Sequence, residues 1–168
     1  ICKSTSSTAC ATSFTPTFTT AANVLTYTAT SLTEAVKYYF VIRSVDEAGN
    51  VDTNTKALGA APDGTAPTFA GASTTSNITF TSVLLSWSAG TDNVTTSANL
   101  VYDICRSTVT GGCSNASFTV LASTAAAATS YTVTGLTQNT TYYFVVRAHD
   151  EITPTPNRDS NNVEQTTT

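Results

Sequence analysis

Residues 135–148 have the sequence GLTQNTTYYFVVRA, and this stretch decides the fold class. In its second half, Tyr142, Phe144 and Val146 occupy every other position. A period of two is that of a β-strand, whose successive side chains point to opposite faces of a sheet. Gly135, together with the polar residues after it, is typical of a turn. The stretch therefore predicts a turn that leads into a long, half-buried strand.

The same pattern occurs earlier in the chain. Residues 38–43 (YYFVIR) match residues 142–147 (YYFVVR), and residues 1–5 (ICKST) match residues 104–108 (ICRST). The spacing of about one hundred residues is too long for a solenoid repeat but is the size of one β-sandwich domain. We therefore predict an all-β chain of tandem antiparallel β-sandwiches.

Alternation also marks the rest of the second copy, whereas helical periodicity is nearly absent. Glycine- and proline-containing turn signals, including residues 154–157, separate the segments. The predicted strands are residues 68–72, 82–87, 100–106, 117–122, 130–134, 141–150 and 162–167. Seven short strands at this spacing fit two packed antiparallel sheets.

Composition excludes several classes of protein. The chain has 168 residues, of which 11% are charged and 40% hydrophobic, and its net charge is −4. Because lysine and arginine are not clustered, nucleic acid is not an expected partner. No apolar run approaches the length that spans a membrane.

Four cysteines form two pairs with the same spacing, Cys2 with Cys10 and Cys105 with Cys113. Zinc sites use tighter pairs with histidine nearby, and the only histidine is His149. We expect one disulfide within each copy, the alternative being four reduced, buried thiols. Disulfides persist in oxidising compartments, which places the protein outside the cytoplasm or at the cell surface.

Four positions of the second copy form a pattern, namely a Trp, a later Tyr, and a Leu six residues before another Tyr: Trp87, Tyr102, Leu136 and Tyr142. Leu32 and Tyr38 repeat the last pair in the first copy. This pattern resembles a fibronectin type III domain, and the flanking turns resemble bacterial secreted versions of it. The resemblance implies that these residues form sandwich cores. It divides the chain into the C-terminal part of one domain (1–61), a linker (62–67) and a complete domain (68–168). Paired cysteines are not a feature of that family.

The long strand has two faces with different expected roles. Tyr142, Phe144, Val146 and Ala148 should face the core. The opposite face would carry Tyr143, Val145 and Arg147, and in the first copy Tyr39, Val41 and Arg43, of which the tyrosines and valines are the candidate contact residues. Either these reflect ordinary β-propensity on a surface, or they form a contact face for a neighbouring subunit.

The resemblance also implies that several loop oxygens gather at one pole of the sandwich. They belong to Asp63, Asp92, Asn93, Asp150 and Glu151. Oxygen ligands of this kind suit Ca²⁺, the expected cofactor if one is bound. The alternative is a set of solvated loop acids.

No catalytic set is evident, because a triad would have to use His149, and we expect no enzymatic activity. N-glycosylation sequons at Asn77, Asn93, Asn115 and Asn139 are compatible with a glycoprotein.

The first copy has no counterpart of residues 66–103, so its sandwich would lack N-terminal strands. Further repeats of the same chain, a neighbouring copy or local disorder could each account for this. The leading hypothesis is a structural subunit of an extracellular filament whose partners are copies of itself or further repeats. The alternative is a spacer or a carbohydrate-binding, adhesive module of a larger secreted protein, with polysaccharide as its partner.

Overall fold

The computed structural model describes residues 1–152 and 155–168. Pro154, part of one predicted turn, lies outside the described residues. The chain divides into two compact units, unit 1 (Ile1–Asp63) and unit 2 (Gly64–Thr168).

Unit 1, which is described throughout, contains one antiparallel sheet and a single helical turn. Its elements are β1 (Cys2–Ser4), α1 (Ala9–Thr12), β2 (Tyr38–Val41) and β3 (Leu58–Ala60). The sheet has the order β1-β2-β3, and Phe40 of the central strand is opposite Lys3 on one side and Leu58 on the other. The core of the unit is small and consists of Cys2, Cys10 and Val41, with Phe14 and Ala57 packed against it.

The described part of unit 2 forms two antiparallel sheets. Its strands are β4 (Thr74–Ser76), β5 (Ser82–Ser86), β6 (Val101–Ser107), β7 (Ala122–Ser123), β8 (Ser130–Thr134), β9 (Tyr142–His149) and β10 (Glu164–Thr167), with a 3₁₀ turn at Ser97–Asn99. One sheet has the order β10-β9-β6-β7 and the other β4-β5-β8.

Alternation along the strands of unit 2 produces one shared core between these sheets. On β5, Val83 and Leu85 are buried whereas the residues between them are half-buried. They share a single apolar cluster with Tyr102, Phe144 and other inward residues of the second sheet. Burial of this apolar surface is the main stabilising term, since each fully buried large side chain contributes about 1.5–3 kcal/mol.

Trp87 is a buried member of this core. Its indole Nε1 donates a hydrogen bond to the Ala128 carbonyl at 2.9 Å, and its ring centroid is 5.3 Å from that of Tyr102. The Tyr102 hydroxyl in turn accepts a hydrogen bond from the Gly90 amide at 2.9 Å. Each polar atom of the two rings therefore has a partner although the rings are buried.

The predicted core residues differ between the units. Trp87, Tyr102, Leu136 and Tyr142 are all buried in unit 2. Leu32 and Tyr38 of unit 1 are only half-buried, because no second sheet covers them.

Two strand predictions are wrong in position. In residues 68–72 only Thr68 makes a bridge, to Thr91, and the strand begins at Thr74 instead. Gly71 separates the two segments with a φ of +84°, a conformation that interrupts an extended chain. The predicted strand 117–122 shrinks to Ala122–Ser123, because the residues before it fold over the sheet instead of joining its edge.

Candidate functional site

A short disulfide-closed segment covers one face of the sheet in each unit. We call residues 2–10 of unit 1 and 105–113 of unit 2 the straps. Disulfides Cys2–Cys10 and Cys105–Cys113 close them, with Cα atoms 5.8 and 5.9 Å apart. In unit 2 the disulfide packs on Val145 together with Phe118, and in unit 1 the corresponding disulfide packs on Val41 together with Phe14.

The straps correct one prediction directly. Val41 and Val145 were expected on an exposed contact face, but they are 0% and 2% exposed. The cysteine sulfurs and the phenylalanine ring occupy the place where a partner would have to sit. Tyr39 and Tyr143 on the same face are half-buried. The predicted contact face is therefore wrong for both valines.

A buried arginine completes the covered face of unit 2. The Arg147 guanidinium lies 4.2 Å from the Phe118 ring centroid, a cation–π distance. It donates hydrogen bonds to the Asn161 carbonyl, to Asn115 Oδ1 and to Asn162 Oδ1. Burial lowers the pKa of Arg147, although an arginine stays charged at neutral pH.

Unit 1 repeats this arrangement in simpler form. Arg43 lies 4.5 Å from the Phe14 ring centroid and its Nε donates to the Asn54 carbonyl at 2.9 Å. The disulfide, the valine, the phenylalanine and the arginine thus form one structural motif that occurs twice. Its residues are all engaged in covering the sheet, so the motif stabilises the strand and offers no reactive group.

A second buried polar cluster surrounds Asp103, which is 1% exposed. One carboxylate oxygen is 2.6 Å from the Arg158 guanidinium, and the other accepts a hydrogen bond from the Ser123 hydroxyl. His149 Nε2 is 3.7 Å from the same carboxylate.

These residue types are those of a catalytic triad, but their order is not. In a triad the imidazole contacts the serine hydroxyl and the carboxylate orients the imidazole. Here Asp103 lies between Ser123 and His149, and the serine hydroxyl donates a hydrogen bond to the carboxylate. The cluster therefore ties β6 to β7 and to Arg158, and it does not activate a nucleophile.

Two of the predicted calcium ligands accept hydrogen bonds from their own loops. Asp92 accepts hydrogen bonds from the amides of Val94 and Thr95, and Asp150 accepts from the amides of Ile152 and Asn157 and from the Asn157 side chain.

Asp63 is half-buried, and Asn93 and Glu151 are exposed. Within residues 1–152 and 155–168, no three His, Cys, Asp or Glu side chains are grouped so that they could hold a metal ion. The calcium site stays a prediction.

Residues at one pole of unit 2 line an open cleft of about 440 Å³. Its rim carries Phe80 and Ile78, which are 75% and 56% exposed. The other lining residues include Gln138, Asn139 and Thr140, so amide and hydroxyl groups face an aromatic ring. None of the side chains that line this cleft is charged.

The face of the unit 1 sheet opposite its strap is open. Ile42 is 57% exposed, whereas Val146, its counterpart in unit 2, is fully buried. A groove of about 550 Å³ is lined by Ile1, Phe18, Tyr27 and Ile42, and also by Phe14 and Arg43 of the covered face. Apolar residues that form a core in one unit are therefore accessible in the other.

Residues 65–163 match the family described as the fibronectin type III domain, which is more than half of the chain. The chain belongs to the fibronectin type III family. The resemblance inferred from Trp87, Tyr102, Leu136 and Tyr142 is thereby confirmed, and these residues lie in the fibronectin core.

Similar proteins include much longer chains. Exoglucanase B of Cellulomonas fimi is 36% identical over 133 residues, which is 77% of this chain and 11% of that protein. Chitinase A1 of Niallia circulans is 36% identical over 138 residues, which is 74% of this chain and 17% of that protein. This fibronectin-type chain thus spans less than a fifth of the length of either relative.

Among solved structures, domains d3-d4 of the rat CD45 extracellular region are similar at 14% identity, with a TM-score of 0.43. The likeness covers 91% of this chain and 75% of that one. No described helix of this fibronectin-type chain is long and apolar enough to cross a bilayer.

Sequence reasoning missed the covered face and the Asp103 cluster. The signal for the first was the repetition of Phe14 as Phe118 and of Arg43 as Arg147, at distances from the cysteines that differ by one residue between the copies. The signal for the second was a carboxylate inside a strand, between the apolar residues Tyr102 and Ile104. A charged side chain in that position is usually paired when it is buried.

Proposed function

We propose that this chain is a spacer segment of a larger extracellular protein. In this proposal residues 1–61 are the C-terminal part of a fibronectin-like domain, 62–67 a linker and 68–168 a complete domain. The observation that carries it is the place of similar sequence in the relatives. There it forms a small fraction of proteins named as an exoglucanase and chitinases.

The extracellular location is supported by the two disulfides, since thiols are kept reduced in the cytosol. A mechanical role is supported by the use of the polar clusters. The Asp103 cluster and the Arg147 contacts join strands and loops, which is what a load-bearing spacer needs. Within the described residues the one Ser/His/Asp group has the wrong order for catalysis.

Incubation of the purified chain with insoluble cellulose and with chitin tests this proposal. A spacer should stay in the supernatant and should release no soluble sugar. Release of reducing sugar would contradict the spacer proposal and indicate an enzyme. Retention on the solid would contradict it and indicate a binding module.

Polysaccharide binding is a second candidate, favoured by the exposed Phe80 ring beside an uncharged, amide-lined cleft. Aromatic faces pack on the apolar faces of sugars, and amides and hydroxyls satisfy sugar hydroxyls. If the chain is retained on either solid, Phe80→Ala should lower the retained fraction several-fold. Val109→Ala, at a comparably exposed apolar residue of the same unit, is the matched control and should leave retention unchanged.

The filament hypothesis is supported by the open face of unit 1 alone. Sedimentation of the purified chain over rising concentration tests it. Ordered polymers would favour the filament hypothesis, and a monomer at all concentrations would contradict it.

A further inference from the structure

We propose that Asn139 is an N-glycosylation site and that the first sugar of its glycan occupies the cleft beside Phe80. Asn139 lies in the turn between β8 and β9, and it is one of the residues that line this cleft. A glycan at this position is compatible with a spacer and does not depend on that role.

The four sequons differ in what surrounds their asparagines. The Asn115 side chain is engaged, since its Oδ1 accepts a hydrogen bond from Arg147 at 2.6 Å. Asn93 is exposed but takes part in a contact within the protein. Asn77 and Asn139 are exposed, and among residues 1–152 and 155–168 no hydrogen bond reaches their side chains. Of these two, Asn139 lines the cleft and Asn77 does not. Asn139 is therefore the acceptor whose sugar begins inside the cleft.

The turn that carries Asn139 is held in place. The Thr137 amide donates a hydrogen bond to the Tyr142 hydroxyl at 3.1 Å, which fixes the turn against the start of β9. Asn139 has a φ of +59°, a conformation that asparagine tolerates better than most residues. Thr141 completes the sequon, and its hydroxyl is 3.0 Å from the Thr168 hydroxyl. The acceptor side chain therefore has a defined position at the cleft.

Attachment of the glycan needs one external reactant, an oligosaccharide activated as a lipid-linked diphosphate. The amide nitrogen of Asn139 attacks the anomeric carbon of the first sugar. A nitrogen–carbon bond forms, and the bond from that carbon to the diphosphate oxygen breaks. The amide loses one proton as the lipid diphosphate leaves, and no oxidant or reductant is required. The sequence Asn-Thr-Thr at residues 139–141 is the acceptor motif for this transfer.

The lining of the cleft suits an uncharged sugar. Phe80 and Ile78 are 75% and 56% exposed, and a sugar ring can pack its apolar face against them. The side chains of Gln138 and Thr140 can donate and accept hydrogen bonds with its hydroxyl groups. The volume of about 440 Å³ lies within the range of about 300–1,000 Å³ for sites that hold small molecules. The first sugar of a glycan therefore finds both apolar and polar contacts there.

A tethered sugar has an advantage over a free polysaccharide in this cleft. Because the glycan is bonded to a lining residue, its binding is intramolecular, with an effective concentration on the order of millimolar. A free chain of the same chemistry would have to reach a comparable concentration in order to displace it. The glycan is therefore the occupant, and it keeps the Phe80 ring from an external polysaccharide.

Peptide mapping of the protein purified from the cells that make it tests the modification. Asn139 should carry a glycan and Asn115 should be bare. An amidase that hydrolyses the asparagine–sugar bond should then convert Asn139 to aspartate. An unmodified Asn139 in every molecule, or a glycan on Asn115 in its place, would overturn the site.

NMR of the glycosylated protein then locates the first sugar. Its ring protons should be shifted upfield by the Phe80 ring and should show nuclear Overhauser contacts to it. Phe80→Ala should abolish this shift while Asn139 stays occupied. Val109→Ala, at a comparably exposed apolar residue of the same unit, is the matched control and should leave the shift unchanged. Absence of the shift, or a shift that survives Phe80→Ala, would overturn the cleft as the place of the sugar.

Asn139→Asp is the control for the acceptor itself. Aspartate also tolerates a positive φ, so the variant should keep the fold of the turn and lose the glycan. It has the same residue at position 139 as the amidase-treated protein, and both should lack the shifted sugar protons. Shifted protons in Asn139→Asp would overturn the site, because they would belong to a glycan on another residue. Retention on cellulose or chitin does not decide the occupancy of Asn139, so the spacer proposal stands or falls separately.

Discussion

At the scale of single residues, equivalent tyrosine hydroxyls make the same hydrogen bond in the two units. Tyr142 accepts a hydrogen bond from the Thr137 amide at 3.1 Å, and Tyr38 accepts one from the Thr33 amide at 3.2 Å. In each case the bond closes the turn that precedes the long strand. Hydrogen bonding with the side chains of Thr137 and Thr33, and then with their amides, lowers the pKa of both tyrosines. The ring is buried in unit 2 alone, so the same bond is better shielded from water there.

Tyr142→Phe should destabilise unit 2 by about 1 kcal/mol, because it removes the acceptor but keeps the buried ring. Urea unfolding followed by the fluorescence of Trp87 measures the change. Tyr143→Phe, on the other face of the same strand, is the control and should stay within about 0.5 kcal/mol of the wild type. If the two variants lose equal free energy of unfolding, the Tyr142 hydroxyl does not contribute specifically to stability.

Asp52 gives unit 1 a dependence on pH. Its carboxylate accepts hydrogen bonds from the amide of Asn54 and from the amide and hydroxyl of Ser44, and these hold its pKa below the ordinary 3.8. A depressed folded pKa contributes stability that is present above the unfolded pKa and is lost as the pH falls through the folded value.

We expect the protection factor of the Ser44 amide to fall when the pH is lowered below 3.8, and Asp52→Asn should flatten this dependence. Hydrogen exchange at several pH values, corrected for the intrinsic rate, is the measurement. Glu47→Gln, at an exposed acid of the same unit, should leave the profile of the wild type in place. A profile that Asp52→Asn does not alter would contradict this role.

At the scale of elements, the sequence was sufficient wherever side chains alternate without interruption. The strand predicted at residues 130–134 is β8, and the one predicted at 141–150 is β9 with one residue less at each end. Two packed sheets require this alternation, so the pattern and the structure agree.

Other elements depend on contacts that a linear pattern does not contain. Residues 117–122 alternate, yet most of them are drawn over the sheet, where Phe118 packs between Arg147 and the disulfide. Residues 26–30 have the pattern of a strand but lack a neighbouring strand to pair with. The side chains of Ser123 and His149 meet at Asp103 only because β6, β7 and β9 are neighbours in one sheet.

The strap of unit 2 should contribute to stability through its disulfide. Replacing Cys105 and Cys113 together by serine should cost about 2–3 kcal/mol, the chain-entropy value for so short a loop. Urea unfolding with and without a reductant gives the difference, and the reduced wild type should match the double variant. The corresponding change at Cys2 and Cys10 is the control and should leave the unfolding of unit 2 unchanged.

At the scale of the whole molecule, each unit has its own strap, but only unit 2 has a core between two sheets. Unit 1 has three buried apolar residues in its cluster, whereas the cluster of unit 2 contains residues from both of its sheets. The strap therefore does not depend on the second sheet.

Stretching the full chain from its two ends should show both straps. Each disulfide bypasses the loop that it closes, so reduction should lengthen the fully extended chain by about 22 Å per strap, given about 3.5 Å per extended residue and Cα atoms 5.8–5.9 Å apart. Force spectroscopy with and without reductant measures the increment. A single increment, or none, would show that one or both bonds are absent in the purified protein.

The strap of unit 2 has a consequence for cleavage by proteases. Its tip in unit 2 contains Val109, which is 64% exposed, and Gly111, whose φ is +71°. Proteases cleave preferentially at exposed loop tips of this kind. Because the cut lies between two linked cysteines, both new ends would remain attached to the sheet. A chain cut there would run as a single band on a non-reducing gel. It would separate into two fragments only after the disulfide is reduced.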